Sequence, residues 1–222
     1  MPPQDLSAIG ADFYTANAHK WLCAPKGAAF LHAKPEHHEH LRPPLVSHGY
    51  GSGFASEWAW QVTPTPQAPV TRPRSCALID VHEHDGGRQG LRDYSPLLSL
   101  HTVLDWWEAV GPARIRAHMR ETVRGAAADC AEAWGDDAFP CGEGLMSGPM
   151  LLVPLPDSAH GGGGNGGVCD YADAEALQNR LFAEGVEVPV KAIEGRLYVR
   201  ISAHCHNERA DYHALRDAVL RW

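Results

Sequence analysis

The chain has 222 residues, 44% of them hydrophobic, and a formal charge of -8 at pH 7. That length supports one or two domains with real cores, and an acidic chain without a basic stripe argues against a nucleic-acid partner. No apolar run approaches the ~20 residues that cross a bilayer, and Met1-Pro2-Pro3-Gln4-Asp5 has neither the basic start nor the apolar stretch of a secretory leader, so the expected location is cytoplasmic.

Two short apolar runs open the chain. Residues 11–18 and 27–33 read as buried strands, and the connection between them, Asn17-Ala18-His19-Lys20-Trp21-Leu22, carries Lys20. Residues 61–89 differ in character: Pro64, Pro66, Pro69 and Pro73 precede the charged run Asp80-Val81-His82-Glu83-His84-Asp85-Gly86-Gly87-Arg88, which predicts a disordered or poorly packed insertion. From 95 to 110, Leu97, Leu100, Leu104 and Trp107 recur at helical spacing on one face. Gly111-Pro112 breaks that pattern, and Pro112 suits the first turn of a second helix. Ile115, Met119, Val123, Ala126, Cys130 and Trp134 continue the apolar stripe to Gly135.

The last third alternates clearly. Met150 to Leu155 reads as a strand, and Asp173 to Glu184 as a helix with Leu177 and Leu181 inward and Gly185 as its stop. Val186, Val188 and Val190 alternate with polar or kinking residues. Leu197, Val199 and Ile201 then share one strand face, with Tyr198, Arg200 and Ser202 on the other. Asn207 is placed to cap a final helix lined by Tyr212, Leu215 and Val219. Strand, helix, two strands and helix make a compact α+β unit. The glycine run 161–167 lacks the Lys-Ser or Lys-Thr of a phosphate loop and reads as a flexible linker.

Lys20 is the residue with the most chemistry to offer. An ammonium buried without a partner costs several kcal/mol, or its pKa falls by as much as ~3–5 units. A lysine neutralised in this way is a nucleophile toward aldehydes, and the aldehyde that proteins most often hold so is pyridoxal 5'-phosphate. A surface lysine that snorkels its head to water is the plainer reading of the same residue.

The run Gly10-Ala11-Asp12-Phe13-Tyr14-Thr15-Ala16-Asn17-Ala18-His19-Lys20-Trp21-Leu22-Cys23-Ala24-Pro25-Lys26-Gly27 resembles the cofactor-lysine segment of class V aminotransferases. Within them it is most similar to the isopenicillin-N-epimerase-like branch, relatives of cysteine desulfurases and desulfhydrases. Further matches follow in the family's order: Ser47-His48-Gly49-Tyr50-Gly51-Ser52-Gly53-Phe54, then Arg92-Asp93-Tyr94-Ser95-Pro96, then Val199-Arg200-Ile201-Ser202-Ala203. The resemblance covers nearly the whole chain apart from residues 61–89.

The resemblance implies an α/β fold, the C-terminal part of a fold type I pyridoxal-phosphate-dependent large domain followed by a small α+β domain. On that basis residues 1–60 are a remnant of the cofactor-binding domain, 61–89 an insertion, 90–135 long interdomain helices and 136–222 the small domain. It also implies pyridoxal 5'-phosphate as cofactor, a small amino acid as substrate, and a homodimer in the intact family.

Residue by residue, the resemblance makes Lys20 the covalent anchor of the cofactor and a general base. His19 is expected at the cofactor phosphate, beside the alternative of a packed or solvent-facing loop histidine. Arg200 is expected to grip the substrate carboxylate, for which a bidentate guanidinium is suited. Gly90 and Arg92 correspond to a loop that, in dimeric relatives, reaches the neighbouring subunit's cofactor phosphate. Leu91 stands there where relatives have threonine, which leaves backbone N–H groups as the donors. His48 and Tyr50 are expected on the substrate side, or as turn residues among Gly49, Gly51 and Gly53.

Other chemistries find less in the sequence. His37-His38-Glu39-His40, His82-Glu83-His84 and His204-Cys205-His206 lack HExxH spacing, and Cys23, Cys76, Cys130, Cys141, Cys169 and Cys205 form no CxxC pair, so no metal site is expected. Scattered cysteines of this kind are consistent with reduced thiols. No Gly-x-Ser-x-Gly elbow suggests an acyl-transfer serine.

Relatives place an acidic residue, within an Asp-x-x-His segment, well upstream of the lysine, where it pairs with the cofactor's pyridine nitrogen. This chain has 19 residues before Lys20, and Asp5 and Asp12 stand in a different context, so the expectation is an N-terminally truncated relative. Two functions follow. One is a pyridoxal-phosphate enzyme of the epimerase, desulfurase, desulfhydrase or aminotransferase type. The other is a non-catalytic fragment or pseudoenzyme.

Overall fold

The structure is a computed structural model and describes residues 5–42, 51, 76–79, 93, 95–135, 139–140, 142, 146, 148–160 and 168–221. The chain divides into two compact units, Pro2–Gly111 and Pro112–Trp222.

The first unit begins with a single helical turn, α1 (Leu6–Ile9), because the Asp5 carboxylate accepts from the backbone N–H groups of Ser7 (2.9 Å) and Ala8 (3.2 Å). Three antiparallel strands follow, β1 (Phe13–Asn17), β2 (Ala29–Ala33) and β3 (Cys76–Ile79), with β2 in the middle. Phe13 faces Ala33, Asn17 faces Ala29, and Ala29 faces Ile79 on its other side.

Two expectations change here. β1 is not a buried strand: it lies at the edge of this sheet, its residues alternate between exposed and half-buried, and Thr15 and Asn17 stand on the exposed side. Cys76–Ile79, inside the expected disordered insertion, is a strand, because a short apolar run can satisfy the second edge of β2. The rest of residues 61–89 lies outside the described residues.

α2 (Ser95–Val110) forms on its apolar stripe, and Leu97, Leu100 and Trp107 are buried. Leu104, expected on the same buried face, is exposed. The surface beneath α2 is made by Ala18, Ala24 and Ala28, with Leu22 packed beside them. Side chains that short cover a narrow strip and leave Leu104 at its rim. Gly111 ends α2 with a φ of 94° and donates its N–H to the Trp107 carbonyl (3.0 Å).

The second unit opens with α3 (Pro112–Trp134), in which Ile115, Met119, Val123, Ala126, Cys130 and Trp134 are all buried. Thus α2 and α3, grouped together in the sequence reading, fall in different units. Its sheet contains β4 (Met150–Pro154), β5 (Val190–Ile193) and β6 (Arg196–Ser202), antiparallel, with β6 central. α4 (Tyr171–Ala183) starts at a capping box: Asp170 accepts from the N–H groups of Ala172 and Asp173, and Asp173 accepts from the N–H of Asp170. α5 (His213–Leu220) closes the unit.

One cluster joins Val123, Cys130 and Trp134 of α3, Leu177 and Leu181 of α4, and Leu215 and Val219 of α5 to Leu151, Val153, Val190, Leu197, Val199 and Ile201. Three helices therefore cover one sheet face. On the other face Arg200 and Ser202 are exposed as the alternation requires, while Tyr198 is buried between Lys191 and Pro154 in register. β5 and β6 are joined by Glu194-Gly195, both at positive φ (49° and 79°), the two-residue connection whose twist matches that of its strands.

Asn207 does not cap the last helix. Its side-chain oxygen accepts from the His204 N–H (2.8 Å), and its Nδ2 donates to Asp211 (3.1 Å), which closes a local turn instead. Asp211 also accepts from the N–H of Glu208 (3.0 Å), ahead of the 3₁₀ turn Arg209–Tyr212 that leads into α5. Among the described residues no helix is long and apolar enough to cross a membrane.

Candidate functional site

Lys20 sits on the connection between β1 and β2, outside either strand. The Ala18 N–H donates to the Ala28 carbonyl (2.9 Å), the Cys23 N–H to the Lys20 carbonyl (3.2 Å), and the Ala24 N–H to the Ala18 carbonyl (3.2 Å). The chain leaves the sheet, turns through Lys20 and comes back to its own starting point. Cys23 holds a left-handed backbone, φ 61°, which is uncommon for a residue with a side chain. The Leu22 carbonyl accepts from the indole Nε1 of Trp107 (3.1 Å), which fastens the turn to α2.

Lys20 is exposed. This corrects the expectation of an amine enclosed between buried strands, since the side chains packed beneath the turn are Ala18, Ala24 and Ala28 and none is long enough to surround a lysine. Next to it, His19 is half-buried, and its Nδ1 is buried with no hydrogen-bond partner among the described residues. A buried polar atom left in this state costs about 1–3 kcal/mol and marks a place where a ligand group would be accepted. Lys20 offers an accessible primary amine and its chain neighbour His19 an imidazole nitrogen without a partner among the described residues, chemical types that fit an aldehyde and a phosphate.

Arg200 belongs to the second unit. Its N–H is held by the Pro189 carbonyl (2.9 Å), and it lies opposite Leu152 in register. Among the described residues no carboxylate pairs with its guanidinium. It lines a cavity of about 300 Å³ together with Val188, Ser202, Asn207, Asp211 and Tyr212.

The walls of that cavity are well fixed. The Tyr212 hydroxyl donates to the Ser202 carbonyl (2.7 Å), and burial pushes its pKa up to about 12. Asp211 is held below the usual carboxylate range by the N–H of Glu208 and the amide of Asn207, and stays ionised. The His118 ring meets the Asn207 carbonyl at 3.0 Å, which ties the turn to α3. A guanidinium with no carboxylate partner among the described residues, on a strand backed by the core, has the chemistry to bind an anion.

His48 and Tyr50, expected on the substrate side, and Gly90 and Arg92, expected at the cofactor phosphate, lie outside the described residues. Trp107 is the residue that sequence reasoning missed. It was assigned to an apolar stripe, and only its indole N–H distinguishes it there from a leucine. Asp211 and Tyr212 at the Arg200 cavity also carried no motif of their own.

Residues 2–66, which include Lys20, match the family described as Aminotransferase class-V. Over 99% of its length the chain is 32% identical to the putative L-cysteine desulfhydrase 2 of Oryza sativa subsp. japonica and covers 43% of that protein. Over 97% of its length it is 29% identical to the isopenicillin N epimerase of Streptomyces clavuligerus, with 48% of that protein covered. Among solved structures, the cysteine desulfurase CsdA of Escherichia coli aligns with a TM-score of 0.55 and 16% identity over 99% of this chain and 48% of that one. The chain thus spans less than half the length of these relatives.

The alignment with the cysteine desulfurase shows a shared mixed α/β fold over nearly the whole of this chain. The likeness in sequence is to class V aminotransferases over residues 2–66, and over nearly the whole chain to relatives named as L-cysteine desulfhydrases and isopenicillin N epimerases.

Proposed function

We propose that this chain carries part of the site of a pyridoxal-phosphate-dependent enzyme that desulfurates, epimerises or transaminates a small amino acid. The observation that carries this reading is His19 Nδ1, a buried imidazole nitrogen without a partner among the described residues, next in the chain to Lys20 on a fastened turn. When bound, pyridoxal phosphate supplies an electron sink for charge developing at the substrate's α-carbon. Lys20 Nζ would hold the cofactor's aldehyde end, and it is the amine that would serve as base toward the substrate's α-proton. His19 Nδ1 contributes a hydrogen bond to the phosphate. Arg200 takes the substrate carboxylate. Relatives named for L-cysteine and isopenicillin N support an amino-acid substrate class.

The test is chemical trapping. Pyridoxal phosphate is added to the purified protein, the adduct is reduced with borohydride, and the label is mapped by peptide mass spectrometry. The expected result is one label, on Lys20, lost in Lys20→Arg. A label spread over Lys26, Lys34 and Lys191 overturns the reading. The exposure of Lys20 favours a second reading, a non-catalytic protein, and that reading predicts no label at all.

A further inference from the structure

A side-chain bond from outside its own sheet holds the turn that bears Lys20. Trp107, buried on α2, donates its indole N–H to the carbonyl of Leu22 (3.1 Å). Leu22 stands between Lys20 and Cys23, and Cys23 keeps a left-handed backbone, φ 61°. A residue in so sparsely populated a region stays there only where its surroundings over-determine it. Among the restraints are the Cys23 N–H on the Lys20 carbonyl, the Ala24 N–H on the Ala18 carbonyl, and the indole on Leu22. The first two bind the turn to itself. The third is a directional bond to α2, whose Leu97 and Leu100 also pack against Ala18, Ala24 and Leu22.

We propose that Trp107 is a positioning residue, which fixes through Leu22 the orientation in which the turn presents Lys20. The proposal rests on the reading of Lys20 as the cofactor lysine. Without the indole N–H, one hold on the turn at Leu22 is lost and the left-handed Cys23 backbone is less firmly fixed. The direction of the Lys20 side chain then swings with the peptide planes on either side of it.

Two variants of the full chain separate positioning from simple packing. Trp107→Phe keeps an aromatic ring in the α2 stripe and removes the N–H. Leu97→Ala removes packing from the same cluster and keeps the N–H. Amide hydrogen exchange is followed across residues 18–24, with borohydride-trapped pyridoxal phosphate at Lys20 as the second readout.

Trp107→Phe is expected to accelerate exchange at Cys23 and Ala24 by about tenfold, the loss of one hydrogen bond. It should also slow labelling at Lys20 while β6 exchanges as before. Leu97→Ala is expected to raise exchange through the first unit with no excess at the turn. Unchanged exchange at Cys23 and Ala24 in Trp107→Phe overturns the proposal, as does the same excess in Leu97→Ala. Collapse of the whole first unit in Trp107→Phe overturns it too, since the indole is then structural. Failure of the unmodified chain to label at Lys20 overturns the cofactor reading instead, and the exchange data then decide the hold of Trp107 on the turn by themselves.

Discussion

The guanidinium of Arg209 closes on the carboxylate of Asp129 through two hydrogen bonds, Nε to Oδ2 and Nη2 to Oδ1, and so ties α3 to the turn ahead of α5. Gly125, one helical turn earlier, leaves the room this needs: a Cβ there would stand 3.2 Å from the Arg209 Cδ. The pair braces the segment that carries Asp211 and Tyr212 into the Arg200 cavity.

The Arg209 hydrogen bonds hold the Asp129 carboxyl below its ordinary value of 3.8. A carboxylate depressed in the folded state contributes stability in full above its unfolded value, and that stability is lost as pH falls through the folded one. Asp129→Asn is therefore expected to cost about 1 kcal/mol at neutral pH, a figure kept low because the Arg209 side chain is mostly exposed. Urea unfolding at a series of pH values checks this. The gap between variant and parent should close as the pH drops below 3.8, and a gap of constant size would refute the assignment.

Thiol reactivity offers a test of packing. Cys130 is fully buried in the α3 stripe, and burial pushes its pKa up to about 12, whereas Cys23 is exposed on the Lys20 turn. Iodoacetamide should modify Cys23 in the native protein and reach Cys130 only after denaturation, because the thiolate is the reacting form. Equal rates at the two sites would show that α3 does not pack as described.

Leu181 on α4 is fully buried in the second unit's core. Leu181→Ala should lower stability by about 2–5 kcal/mol, the transfer loss plus the cavity left behind. Denaturant melts read the shift directly. A loss below about 1 kcal/mol would mean that the core closes over the gap far better than its packing implies.

For the site itself, Arg200→Lys keeps the charge and loses the fork of donors. In protein loaded with pyridoxal phosphate, this variant should bind an amino acid about tenfold more weakly, the worth of one charge-assisted hydrogen bond. Calorimetric titration with a small amino acid that lacks a thiol measures it. Unchanged affinity would remove Arg200 from the substrate site.

Some elements were legible from the residues because one local rule sufficed. The α3 stripe and the alternation of β6 meet a single core face, so helical and strand periodicity alone place Ile115, Val123, Leu197 and Val199 inside. The exposure of Lys20 was not legible, because it depends on which side chains pack beneath the turn, and those come from both sides of the connection and from α2. Asn207 shows the same limit on a smaller scale. A residue that ranks well as a helix cap also competes well for a nearby turn, and here the His204 N–H wins. In Trp107, periodicity sees a ring and is blind to its N–H, whose partner lies 85 residues away.

The Glu194-Gly195 connection makes the spacing of the chain at that point a measuring device. Because successive strand residues point to opposite faces, one inserted or deleted residue there would turn β6 over, wetting Leu197, Val199 and Ile201 and driving Arg200 into the oil. Side-chain replacements along β6 are negotiable one at a time. A change of length in its hairpin is not, so any descendant that still needs this arginine at the surface must inherit the two-residue gap intact.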